Sequence, residues 1–195
     1  MPNKLYMKDF VVALLKDNIP TGYYYHNHEH TLYVLAKAIQ IGRHENCNEK
    51  EIELMSAAAL WHDTGFIRTY AGHEEVSCSF AARYLPEFGF TDEEIAVVCG
   101  MIRATKIPQS PKNKLEAIVA DADLEYLGTT LAADNAELLF KELQSLTPSL
   151  SKAAWNRMQV AFLQQHHYFT HFCKQYREPV KQAYLDELLK AGEEV

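Results

Sequence analysis

Apolar residues recur at helical spacing along most of the chain. Phe10, Val11, Leu14 and Leu15 form one stripe, and Leu32, Leu35, Ala36 and Ile39 form another. Asn48 followed by Glu51 reads as an N-cap with its return partner, opening a helix that carries Ile52, Met55, Ala59 and Leu60. Thr91 with Glu94 repeats the device ahead of Ile95, Val98 and Ile102. Pro111 suits the first turn of a helix through Leu115, Ile118 and Val119, and Thr147-Pro148 reads as another start. Breakers fall between these runs at Pro20-Thr21-Gly22, Gly42, Gly65, Gly72, Pro86 with Gly89, Pro108 and Gly128. No alternating strand pattern is convincing, and no repeat or linker shows, although Leu146 to Ser151 reads as a hinge. The pattern predicts an all-α, single-domain helical bundle.

At 195 residues the chain fits one domain with a real core. Its net charge of −7 comes with no basic block, which disfavours a nucleic acid polymer or an anionic membrane as partner. A local basic pocket for one phosphate stays compatible with that charge. Cys47, Cys78, Cys99 and Cys173 form no C-x-x-C pair, so zinc-knuckle and redox motifs are absent. The opening segment from Met1 to Phe10 has no apolar run suited to a signal peptide. No stretch approaches the ~18 apolar residues of a membrane span. A cytoplasmic protein with reduced thiols is the expectation.

One apolar run ends in chemistry. Met55-Ser56-Ala57-Ala58-Ala59-Leu60-Trp61 leads into His62-Asp63, two good metal ligands side by side. Upstream lies His26-Asn27-His28-Glu29-His30, and downstream lies Asp121-Ala122-Asp123. A divalent cation needs three or four N and O donors converging from separate segments, and an H…HD…D order supplies them. On a helix His26 and His30 share a face, so one would bind metal while the other donates a proton, with His28 turned away. His62 and Asp63, about 100° apart on a helix, lean into one cleft. The mixed N/O set suits Mn²⁺, Mg²⁺, Fe²⁺ or Zn²⁺ better than a thiophilic ion.

These segments resemble the HD-domain superfamily of metal-dependent phosphohydrolases, of the small stand-alone bacterial type. The likeness rests on Tyr25-His26-Asn27-x-x-His30-Thr31, His62-Asp63-Thr64-Gly65 and Ala122-Asp123-Leu124. The first and last are also similar to segments of the cyclic-nucleotide phosphodiesterases, which share that helical core. Tyr168-Phe169-Thr170 and Arg177-Glu178-Pro179-x-Lys181 look like the tail of such proteins. The resemblance implies a motif-bearing core over about 20–130, followed by C-terminal helices over about 131–190.

It also implies a ligand set of His30, His62, Asp63 and Asp123, with Asp121 standing behind it. Asp63 would hold the metal and orient a water, and His26 would be the proton donor. One divalent ion is expected, with Mn, Fe, Mg, Zn, Co and Ni all open. His73 falls where two-metal members place a further ligand, but the partner position holds Ala104, so His73 is expected to touch phosphate or water. Arg68, Lys106, Arg177 and Lys181 are candidate phosphate clamps, the last two sharing a helical face. The function implied is hydrolysis of a phosphate ester of a small molecule, a nucleotide first, by metal-activated water. The oligomer expected is a monomer or homodimer. The alternatives are a di-iron oxygenase of this fold and a non-catalytic nucleotide or metal sensor. His166, His167 and His171 read as part of an amphipathic helix, Tyr23 to Tyr25 as packing, and Asp134, Glu137 and Glu142 as surface charge.

Overall fold

The computed structural model describes residues 5–193; Met1 to Lys4 of the opening segment read for a leader lie outside the described residues. Ten α-helices and three short 3-10 turns make up the regular structure of these residues. The helices are α1 (Leu5–Asn18), α2 (His28–His44), α3 (Glu49–Trp61), α4 (His73–Tyr84) and α5 (Asp92–Ala104). They continue with α6 (Lys114–Asp123), α7 (Ala132–Leu146), α8 (Lys152–Gln165), α9 (His171–Tyr176) and α10 (Glu178–Glu193). The turns are Thr64–Ile67, Leu85–Phe88 and Glu125–Gly128. No helix among the described residues is long and apolar enough to cross a membrane.

Capping fixes the two best-signalled starts. Asn48 with Glu51 and Thr91 with Glu94 both form full capping boxes, each satisfying two backbone donors that a helix start leaves free. Two other starts fall later than the prolines suggest. Asn113 caps α6 by accepting from the Glu116 amide, and Ser151 caps α8 by accepting from the Ala154 amide. A side-chain acceptor matched to a free amide outweighs the proline preference for a first turn. Leu146 to Ser151 is held by Leu150 N–H donating to the Thr147 carbonyl and by Gln144 donating to the Leu150 carbonyl.

α3 is the axis of the main core. Met55, Ala57, Ala58, Ala59 and Trp61 are all fully buried, because α2, α5 and α6 pack around the helix. The alanines let those neighbours approach closely, and Gly42 does the same on α2, where a Cβ would stand 2.5 Å from Met55 Cε. Trp61 stacks on Tyr84 at 5.7 Å and so closes the end of α3 against α4. Burying side chains of this size stabilises the bundle by about 2 kcal/mol each.

A second, smaller core joins Tyr25, Leu124, Tyr126, Leu127, Leu163 and Leu185. It ties the Glu125–Gly128 turn to α8 and α10. Gly128 is required there, since a Cβ would lie 2.4 Å from the Arg177 carbonyl oxygen. The two cores meet at the C-terminal end of α6, and Asp123 is the last residue of that helix.

Candidate metal centre

Three helix termini bring the donors together. Asn27 caps α2, accepting from the amides of Glu29 at 2.8 Å and His30 at 3.3 Å, so His30 sits in the first turn. His26 therefore precedes the helix and does not share a helical face with His30, which corrects the expected arrangement. The capped start still carries both rings to one place, their centroids 6.0 Å apart. α3 ends at Trp61, and the chain turns through His62 and Asp63 into the Thr64–Ile67 turn. Both side chains still lean into one cleft, but from a helix end and not from its interior.

His30, His62 and Asp123 each offer a donor atom within 4.8 Å of the others. His30 Nε2 lies 3.0 Å from Asp123 Oδ1, and His62 Nε2 lies 3.5 Å from the same oxygen. Asp63 joins through Oδ2, 3.4 Å from His30 Nε2 and 3.2 Å from His62 Nε2. Ligands about 2.1 Å from one cation stand roughly 3.0 Å apart along an octahedral edge and roughly 3.4 Å apart along a tetrahedral one. Those four pairs have that spacing, Asp63 being joined to the cluster through the two histidines.

Two further observations fit a cation. His62 Nδ1–H donates to the Ala59 carbonyl at 2.8 Å, which fixes the tautomer and leaves Nε2 with its lone pair toward the cluster. His62 Nε2 and Asp63 Oδ2 are buried without a hydrogen-bond partner, a costly state that ligation relieves. The electrostatics agree. Burial raises the pKa of Asp123, but the hydrogen bond with His30 and the nearby His62 ring outweigh it and bring the group down to about 2. Burial likewise opposes ionisation of Asp63, yet His62 and then His73 hold its carboxyl well below the usual range. A buried and a half-buried carboxylate that favour their charged form are hard donors for a divalent ion.

His73 opens α4 across from this cluster. Its Nδ1–H donates to the Tyr70 carbonyl at 3.2 Å, and its Nε2 faces Asp63 Oδ1 at 3.5 Å. Asp63 thus presents one oxygen to His30 and His62 and the other to His73. Phe66 is sandwiched, with centroids 4.1 Å from His26 and 3.8 Å from His73. Gly65 makes this packing possible, because a Cβ there would stand 1.9 Å from the His73 carbonyl oxygen.

Glu142 corrects a second expectation. Read as surface charge, it is fully buried: its carboxylate accepts from the amides of Tyr25 at 2.9 Å and His26 at 3.0 Å, and pairs with His26 Nδ1. Burial pushes the Glu142 carboxyl up, but the His26 ring and these amides outweigh it and keep the group below its ordinary range. His26 is left with Nε2 as its free nitrogen. A signal for Glu142 did exist, since it falls within the apolar stripe of α7 beside Leu139 and Leu143.

A cavity of about 520 Å³ opens on the centre, lined by His26, Asp63, Phe66, His73 and Asp123. α7 adds Ala136, Leu139 and Leu143, α8 adds Trp155, Met158, Gln159, Phe162 and Leu163, and α10 adds Tyr184. Of the expected phosphate clamps, Lys106 lines this cavity with Thr105 and Glu74, whereas exposed Arg68 does not.

Arg177 and Lys181 are not brought to it either. Arg177 pairs with the buried Glu125, which also takes Lys37 at 3.3 Å. Lys181 is 1% exposed, pairs with Glu178 at 2.8 Å and donates to the His166 carbonyl. Both hold α10 in place. Asp121 is also committed elsewhere, accepting from the Phe169 amide at 2.9 Å and from the Thr170 amide and hydroxyl at 2.8 and 2.6 Å. It anchors the loop before α9. His166 and His167 lie in that non-helical stretch, and only His171 is helical.

The family model of the HD domain matches residues 27–125, the segment that supplies His30, His62, Asp63 and Asp123. The chain belongs to the HD-domain family. The fold of this HD protein is similar to the crystal structure of a predicted HD superfamily hydrolase from an uncultured Thermotogales bacterium. That match has a TM-score of 0.63 at 20% identity, covering 94% of this chain and 89% of the other. No curated protein sequence matches the chain. The helices that complete the cavity, α7, α8 and α10, lie beyond the segment matched by the family model.

Proposed function

We propose that this HD domain is a metal-dependent phosphohydrolase acting on a phosphate ester of a small molecule, with His30, His62, Asp63 and Asp123 holding one divalent ion. The observation that carries this is the convergence of His30, His62 and Asp123, with Asp63 beside the two histidines and two of the donor atoms buried and unpartnered, at one end of a cavity. A divalent ion bound there polarises a phosphoryl oxygen and lowers the pKa of a water.

The chain's own groups do the rest. Asp63 has an oxygen on each side of the centre and orients the attacking water. His26, fixed through Nδ1 by buried Glu142, carries its transferable proton on Nε2 and passes it to the leaving oxygen. His73 and Lys106 bind the phosphate oxygens. Phe66, packed between His26 and His73, keeps both rings at fixed separations and excludes water from that face. Expected nucleotide substrates are a subset of this reading.

Elemental analysis of protein purified without chelator tests it, together with release of phosphate from a panel of monoesters and diesters. One ion per chain and turnover are expected. Absence of metal even after reloading with manganese would refute the ligand assignment.

A further inference from the structure

The cavity runs on past the donors, and its far wall differs chemically from its floor. The floor carries His26, Asp63, His73 and Asp123. The wall presents Leu139, Trp155, Met158, Phe162 and Leu163, supplied by α7 and α8. Lys106 is the single lysine or arginine among the lining residues, and Glu74 lines the cavity too. The two cations that sequence spacing suggested as further clamps, Arg177 and Lys181, are held by Glu125 and Glu178 instead. Beyond the donors and His73, a chain of phosphates with three or four negative charges would therefore meet one lysine and a carboxylate. An apolar body would meet a ready-made wall, and about 520 Å³ is ample for one of drug-like size.

We infer that the substrate carries a single phosphate on an alkyl or aryl alcohol, its phosphate at the donors and its apolar body against α7 and α8. This rests on the hydrolase reading. In the reaction a bond forms between water oxygen and phosphorus, and the bond from phosphorus to the ester oxygen breaks. A proton returns to that oxygen, which releases the apolar alcohol and inorganic phosphate. Choice among substrates then lies with α7 and α8, outside the segment that supplies the metal ligands.

Calorimetric titration of the protein as purified, with n-alkylphosphonates of two, four, six and eight carbons, tests the inference. Their P–C bond does not hydrolyse, so binding is read without turnover. Affinity should rise about three- to fourfold per methylene, on the order of 10²-fold from ethyl to hexyl. It should do so with a negative heat-capacity change. Ala136→Phe, which fills the chamber, should flatten the series. Met158→Glu does the same from a half-exposed position if the first variant folds poorly.

A flat series in the native protein overturns the inference, as does adenosine triphosphate or monophosphate binding more tightly than octylphosphonate. Octyl phosphate separates the two proposals. Steep phosphonate binding without hydrolysis of octyl phosphate keeps the apolar binding wall of α7 and α8 but fails the hydrolase reading and, with it, the ester as substrate. Hydrolysis of other phosphoesters with a flat series does the reverse.

Discussion

Gly65→Ala is the substitution from which the structure predicts most. The added methyl would sit 1.9 Å from the His73 carbonyl oxygen, 2.7 Å from its carbon and 2.9 Å from Ser77 Oγ. Ordinary contact begins about 1.5 Å beyond the first of these distances. The obstructing atoms are backbone, so no rotamer change relieves the clash, and the Thr64–Ile67 turn must part from the start of α4. The Gly65 amide donates to Ser77 Oγ at 2.8 Å, and that bond lies in the plane of separation. Overpacking costs about 1–3 kcal/mol, and a lost buried hydrogen bond about 1 kcal/mol. Together they give about 2–4 kcal/mol.

The displacement falls between Asp63 and His73, so metal content should drop as well. Gly72→Ala is the control: nothing lies within 4 Å of its Cβ, and only the φ of +70° opposes it, at about 1 kcal/mol. Urea denaturation of both variants reads the difference. With a slope of ~2 kcal/mol per molar, Gly65→Ala should lose about 1–2 M in midpoint and Gly72→Ala about 0.5 M. Equal losses, or full metal content in Gly65→Ala, would refute the claim that this close approach sets the centre.

Other outcomes follow from the same geometry. His62→Ala and Asp63→Ala should each abolish bound metal in elemental analysis, while His26→Ala should retain it and slow phosphoester turnover about 10²-fold or more. Loss of metal from His26→Ala would make His26 a ligand. Lys181→Met, which keeps the apolar stem, should cost about 1–3 kcal/mol in denaturation with metal content unchanged, as befits a residue that holds α10. A loss of turnover at unchanged stability would return Lys181 to the substrate site.

Acid should weaken the fold through His166, whose ring is lowered to about 3 by burial and then by Lys181. Above about pH 6.5 the ring is neutral in both states. Below that the unfolded chain takes up the proton first, so stability falls between about pH 6.5 and 3, by about 2 kcal/mol from pH 6.5 to 5. His166→Asn should flatten the stability curve in that window, read by denaturation at stepped pH.

The helical class and the ligands' neighbourhood were legible along the chain because each depends on local spacing. Stripes at three and four residues, and the two capping boxes at Asn48 and Thr91, state where helices lie. An apolar run ending in His62-Asp63 states that donors are carried inward. What no local pattern could state is the partner of each charged group. Glu142 is 116 residues from His26, and its place in the apolar stripe of α7 hints at burial but names no partner until α7 lies against the segment before α2. Arg177 and Lys181 share a helical spacing that suits a phosphate, yet Glu125 and Glu178 had already taken them. Asp121 and Asp123 are two residues apart on α6, so the helix turns one to the donors and the other to the Phe169-Thr170 loop. Sequence sets which side chains a helix offers on each face; only packing decides what stands opposite, because charge pairing and burial act through space between residues far apart in the chain.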